Sequence, residues 1–258
     1  MVVWITSLTE GRFRVTFQQK TQQNLDLGIA VGPQLYGFLR ERIIRSEIEP
    51  GVRISESEIA AQYSISRQPV REAFIKLAEE GLVEIRPQRG TFVHRIALAD
   101  VMDARFVREA IEADIAGYLA SHADEAVVKM LRLEIEKQKK ALDDAHEFME
   151  LDDRFHALLA EAAGKVGVWK MVESLKSQMD RVRHLSILCF PASKLVSQHS
   201  AIVEAIASAD PDAAIAAMRG HLREILGDLP TIAQSNPQFF EERQQLVVPE
   251  KTAPRKKP

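Results

Sequence analysis

The sequence predicts a mainly α fold in two parts, an N-terminal winged helix-turn-helix and a C-terminal all-α helical bundle. Three observations carry this. Between Ser66 and Phe92 a capped helix start is followed by a glycine stop and a short hairpin with arginine at its tip. From Val101 to Asp228 apolar residues recur at helical spacing with little strand signal. At 258 residues, 46% hydrophobic and 28% charged, the chain can build two modest cores and has no apolar run of membrane-spanning length.

Residues 1–32 are expected to be a flexible leader, because the polar tract Gln18 to Asn24 cannot bury enough surface to offset chain entropy. The N-terminus lacks the charged-then-apolar pattern of a secretion signal. A winged domain is expected over 33–96. Its first helix, about 34–46, carries Leu35, Phe38, Leu39, Ile43 and Ile44 on one face, and Pro50-Gly51 turns the chain out of it. Ser55 and Glu58 form a capping box for a short helix with Ile59, Ala60 and Tyr63 inside. After the turn Ser64-Ile65, Ser66 caps the next helix, and Pro69 sits in its first turn, where a missing N–H breaks no intrahelical bond. Gly81 is placed for the left-handed residue after the helix end. Strands at 82–86 and 91–95 flank the turn Pro87 to Gly90.

The segment 97–230 reads as six helices, about 100–121, 124–141, 143–163, 166–188, 193–208 and 211–228, with 231–258 a flexible tail ending in lysines and arginine. The formal net charge of -3 is unevenly spread: residues 34–96 carry 10 Lys/Arg against 9 Asp/Glu, and residues 97–230 carry 16 against 23. A near-neutral domain that meets nucleic acid must concentrate its arginines locally. Arg67 and Arg71, four apart, project from one helical face beside Ser66 and Gln68, with Val70, Ala73, Phe74 and Leu77 facing inward. That helix start enters the major groove in helix-turn-helix docking, while Arg89 and Gly90 at the wing tip are placed to approach the DNA backbone or the minor groove.

With these motifs in view, residues 34–95 resemble the GntR family of bacterial transcription regulators. Pro-Gly, the Ile-x-Glu helix start, Ser-Arg-x-Pro-Val-Arg-Glu-Ala, Glu-Gly-Leu-Val and Arg-Gly-Thr-Phe-Val stand almost whole. The resemblance implies DNA contacts at Ser66, Arg67, Arg71 and Gly90. Ser57 departs from the pattern, where the family often has a DNA-contacting arginine, and Ser64 replaces a common turn glycine.

In the second part, Asp152 and His156 lie at i and i+4 on one helical face, and His199 and His221 sit on a later pair of helices. Three imidazoles and a carboxylate suit a divalent ion such as Zn(II) or Ni(II) with one or two open positions. A single histidine is more often a surface or hydrogen-bonded residue, and His122, His146 and His184 default to that. Residues 100–229 are also similar to the all-helical FCD effector-binding domain of the FadR subfamily, in which many members hold a metal through one Asp and three His. The Asp-x3-His and His-x21-His spacings match. The resemblance further implies a small organic or sugar acid as effector, with Arg105, Arg108, Arg181 and Arg183 as candidates to pair its carboxylate, each equally able to serve as a structural ion-pair partner.

These readings lead to an expected cytoplasmic, homodimeric, ligand-responsive regulator that binds a palindromic double-stranded DNA operator, with no membrane partner. Cys189, the single cysteine, is expected to be packed as a small hydrophobe. The alternative is a metal-dependent hydrolase using the Asp/His3 site. Against it stand the absence of an evident general base, of a HExxH signature and of a phosphate-cradling glycine loop. A structural metal without an effector is a third reading.

Overall fold

The computed structural model of the chain describes residues 25–241. The first unit runs α1 (Val31–Ile44), β1 (Arg53–Ile54), α2 (Glu56–Gln62), α3 (Arg67–Glu79), β2 (Val83–Arg86) and β3 (Gly90–Val93). The sheet is antiparallel in the order β1-β3-β2, with Arg53 opposite Phe92 and Ile85 opposite Thr91. At two residues, β1 is too short to show an alternation and goes unread in the sequence. Leu35, Leu39 and Ile43 of α1 close on Ile59 of α2, Val70, Phe74 and Leu77 of α3, and Val83 and Val93 of the wing.

Local chemistry places these elements. Ser55 Oγ accepts from the Glu58 N–H at 3.5 Å, whereas Ser66 stands at the N-cap of α3 without a side-chain capping bond. At the end of α3, Leu82 N–H donates to Leu77 O at 2.9 Å and Gly81 N–H to Ala78 O at 3.0 Å, a Schellman closure with Gly81 at φ +69°. Ser64 takes φ +54°, a left-handed position that costs a side-chain-bearing residue about 1 kcal/mol.

The second unit comprises α4 (Leu98–His122), α5 (Glu125–Lys140), α6 (Ala145–Ala162), α7 (Val166–Leu175), α8 (Ser177–Cys189), α9 (Ser193–Ala207) and α10 (Pro211–Ser235). Asp124, Asp144 and Asp210 cap α5, α6 and α10 by accepting backbone N–H bonds. α4 and α10 pack along each other, and Gly117 lets Ile215 approach so closely that a Cβ there would lie 2.8 Å from it.

Three expectations change. The single helix expected over 166–188 divides at Lys176, whose buried ammonium binds Asp153 and Asp180, partners that apolar periodicity does not register. The flexible tail does not begin at 231. α10 continues past the exposed Pro230 to Ser235, since Leu229 and Ile232 still face the core, and Phe239 and Phe240 return to bury themselves beside Ile96. The rest of that tail, 242–258, and leader residues 1–24 lie outside the described residues. Cys189, at the end of α8, is exposed. Among the described residues no helix is long and apolar enough to cross a membrane.

The two units meet where α1 lies against α8. Arg40 reaches both Glu80 (2.9 Å) and Asp180 (3.2 Å), and Gln178 Nε2 donates to Gly81 O at 2.7 Å. Tyr36 and Ser177 both donate to Glu80, whose carboxyl burial raises above its ordinary range.

Candidate DNA interface and candidate metal centre

The start of α3 presents Arg67 and Arg71 outward, their side chains 65% and 59% exposed. Both reach Glu56, the first residue of α2: Arg67 Nη2 lies 3.0 Å from Oε2 and Arg71 Nε 3.2 Å from Oε1. Gln68 donates to Glu72 at 3.1 Å. Val70, Ala73, Phe74 and Leu77 are buried and anchor the helix. Ser57 Oγ lies 2.9 Å from Ser55 Oγ. In the wing, Arg89 is exposed and Gly90 has φ +108°. A Cβ on Gly90 would fall 2.5 Å from Arg53 Nε, so the glycine accommodates Arg53 of β1 as well as an unusual backbone. Arg53 escapes sequence reading because its nearness to Gly90 depends on the β1–β3 pairing.

Asp152 and His156 on α6, His199 on α9 and His221 on α10 are brought together, all buried, with one donor atom of each within 4.8 Å of the others. His221 Nε2 stands 3.2 Å from both His199 Nε2 and His156 Nε2, and His199 Nε2 stands 3.6 Å from Asp152 Oδ1. Two nitrogens bound tetrahedrally at about 2.1 Å to a common ion sit roughly 3.4 Å apart, so the spacing fits a transition metal.

The outer ring nitrogens explain which face turns inward. His199 Nδ1 lies 2.8 Å from Gln138 Oε1 of α5, and His221 Nδ1 lies 2.9 Å from Gln198 Oε1 of α9. His156 Nδ1 is 2.5 Å from Glu112 of α4, a close charge pairing without the alignment of a sound hydrogen bond. Amide oxygens accept, so Nδ1 of His199 and of His221 carries the proton and their Nε2 atoms turn lone pairs toward the cluster. Burial first, and neighbouring imidazoles second, hold His199 and His221 well below the ordinary histidine range and therefore neutral. Ring nitrogens of three histidines and a carboxylate are the donor types that a divalent transition ion takes. Glu112, Gln138 and Gln198 were missed in the sequence, since acceptors behind a ligand follow no fixed spacing.

The four arginines divide. Arg183 pairs with Asp152 and leaves a buried Nη1 without a partner. Arg108 is closed by Glu112, Nε to Oε1 2.6 Å, and so stands one residue behind His156. Burial works to depress the Glu112 carboxyl's ionisation, but Arg108 and His156 outweigh it and hold the carboxyl well below its usual range. Arg105 pairs with Glu109, which Arg223 also holds, so it serves there as an ion-pair partner. Arg181 donates to Gln178 at 3.1 Å, and burial lowers its guanidinium to about 10.

Beside the cluster a cavity of about 40 Å³ is lined by Arg183, His221, Glu224 and Asp228 with apolar Met179 and Leu195. One water needs only about 10–15 Å³ on this scale, so the space exceeds that of a single water. His122 stacks on Tyr118, and His184 lines a cleft between α1, α6 and α8. A second gathering of donors, Glu41, His146 and Glu150, is closed around Arg45.

Comparison with known proteins accords with this architecture. Residues 33–93 match the family described as "Bacterial regulatory proteins, gntR family", and residues 103–224 match the FCD domain. The chain is 41% identical over 215 residues to the HTH-type transcriptional repressor RspR of Escherichia coli, covering 82% of this chain and 94% of that one. It is 30% identical over 208 residues to the probable D-xylose utilization operon transcriptional repressor of Paenarthrobacter nicotinovorans, covering 80% and 90%. In fold it resembles E. coli McbR/YncC, with a TM-score of 0.67 at 15% identity over 80% of this chain and 99% of that one. These relatives are named as regulators rather than enzymes, which leaves the hydrolase alternative without support. A winged DNA-reading unit joined to an FCD bundle, and relatives of the same layout along most of their length, place the chain in the GntR family of transcription regulators, with an FCD effector-binding domain.

Proposed function

We propose that the chain is a homodimeric, cytoplasmic repressor that binds a palindromic operator through Ser66, Arg67, Gln68, Arg71, Arg89 and Gly90. A divalent metal, Zn(II) or Ni(II), is held by Asp152, His156, His199 and His221, and a small organic or sugar acid regulates it. The observation that carries the effector half is the convergence of three Nε2 atoms, with Nδ1 of His199 and His221 hydrogen-bonded to glutamine oxygens and Nδ1 of His156 paired with Glu112. Such a set leaves one or two positions for a ligand oxygen, and Arg183 at the cavity wall supplies the charge opposite a carboxylate. Two-fold symmetry doubles the DNA contacts and sets the half-site spacing.

Signalling requires unequal effector affinity for two arrangements of the DNA-reading units. α8 is built to transmit such a difference. Arg183 on its later turn holds Asp152, while Ser177, Gln178 and Asp180 on its first turn hold Glu80, Gly81 and Arg40. Glu80 and Gly81 close the helix that carries Arg67 and Arg71.

The test is elemental analysis of protein purified without chelator or tag metal, alongside the double variant Asp152→Ala, His199→Ala. About one metal per chain, lost in the variant, and release of operator DNA by a small hydroxy or sugar acid in the wild type are the expected results. A metal-free wild type would sink the metal assignment. A metal-loaded protein that no small acid releases from DNA would leave the metal structural.

A further inference from the structure

We infer that Glu56 is a positioning residue for DNA reading, a single carboxylate that holds Arg67 and Arg71 at one fixed separation and so governs sequence preference rather than raw affinity. Its Oε2 lies 3.0 Å from Arg67 Nη2 and 3.5 Å from Arg71 Nη2, and its Oε1 lies 3.2 Å from Arg71 Nε, so one carboxylate binds both arginines of the next helix. The three residues differ in depth. Glu56 has a side chain 22% exposed, against 65% and 59% for the arginines it holds. The carboxylate therefore lies behind the two guanidiniums and presents them outward. Burial works to raise the Glu56 carboxyl, but hydrogen bonds from Arg71 and Arg67 outweigh it, and the group stays ionised.

A negative charge on a surface that meets phosphates works against binding, since the electrostatic attraction of DNA depends on cation excess. Non-specific affinity would favour a neutral residue at position 56. A carboxylate makes sense there if its gain is order: a free arginine samples many rotamers, whereas two arginines anchored on one planar group reach the groove already aimed. Base edges reward a fixed guanidinium plane, and phosphates do not. Glu56 thus exchanges some general affinity for discrimination.

This inference rests on Arg67 and Arg71 as groove readers, so the experiment separates the two claims. Full-length wild type, Glu56→Ala, Glu56→Gln and Arg71→Ala are each taken through selection from a random duplex library. Binding to the wild-type-selected duplex and to a scrambled one is then titrated by fluorescence anisotropy at several salt concentrations. For Glu56→Ala we expect tighter binding to the scrambled duplex by several-fold. Its selected-to-scrambled ratio should fall about tenfold or more, and its salt dependence steepen by about one phosphate contact. Glu56→Gln, which keeps an acceptor for one arginine, should fall between. If Glu56→Ala returns the wild-type consensus with an unchanged ratio, the inference is overturned. It is overturned equally if Glu56→Ala weakens both duplexes to the same extent with a lowered melting temperature, the mark of a mere first-turn helix stabiliser. Unchanged binding by Arg71→Ala would instead remove the recognition helix itself.

Discussion

Asp152 and Asp153 are neighbours on α6 and hold α8 at two points, its middle and the residue before its start. Asp152 pairs with Arg183 at the middle, while Asp153 accepts from Lys176 Nζ at 3.0 and 2.9 Å just before the start. Asp152 also belongs to the histidine cluster, and Asp180, the other partner of Lys176, is bonded by Arg40 of the DNA-reading unit. One helical turn of α6 therefore touches both the candidate metal centre and the junction between units.

Lys176→Met should reveal that junction. The ammonium is buried against two carboxylates, of which Asp180 keeps Arg40 and Asp153 is partly solvated, so its removal should cost about 1–3 kcal/mol through the lost hydrogen bonds. A denaturant melt should show the loss, and an operator titration should show a weakened response to effector with metal content intact. A variant as stable and as responsive as wild type would separate α8 from signalling.

Gln138→Leu and Gln198→Leu should each lower metal affinity about 10–100-fold, because loss of the acceptor behind Nδ1 frees the ring to turn or change tautomer. Competition with a chromogenic chelator reads this directly. Affinity equal to wild type in both would mean that the rings are held by packing alone.

Acid should weaken the metal-stripped protein. His199 and His221 sit well below their ordinary value of 6.5, so below that pH the unfolded chain binds protons that the folded chain does not. Stability is then full above about pH 6.5 and falls as pH drops, by up to about 2.7 kcal/mol per pH unit for two such groups. Urea midpoints between pH 5 and pH 8 test this, and a flat profile would contradict buried neutral imidazoles. Bound metal should delay the fall, because protons must then compete with the ion.

Gly90→Ala should cost about 1–3 kcal/mol, since its φ of +108° strains any side chain and the added Cβ meets Arg53. Operator affinity should drop with it. The converse applies at Ser64, where glycine should relieve a left-handed strain and raise the melting temperature by roughly 2–4 °C.

The first unit was legible because its signals are local. Ser55 with Glu58, Gly81 after α3 and the turn before Gly90 each act within a few residues, and Val70, Ala73, Phe74 and Leu77 keep helical spacing through to burial. The helices of the bundle were legible for the same reason, and their ends were not. The break at Lys176 leaves no mark in the apolar period, and Pro230 fails to stop a helix because Leu229 and Ile232 remain in contact with the core. Periodicity reports which face is apolar and says nothing of a buried charge or of a tail that returns to Ile96.

By itself the sequence determined the two-part α architecture and the arginine-bearing start of α3, carried by short-range spacing, and its resemblance to the FCD domain implied the residue types of an Asp/His3 cluster. Only the tertiary structure decided which atoms meet. Glu112, Gln138 and Gln198 come from α4, α5 and α9 to turn three Nε2 atoms inward, and Glu56 reaches across from α2 to bind two arginines of α3. Hydrogen-bond direction and charge pairing act over a few ångströms in space, and residues far apart in the chain reach that distance only once the helices have packed.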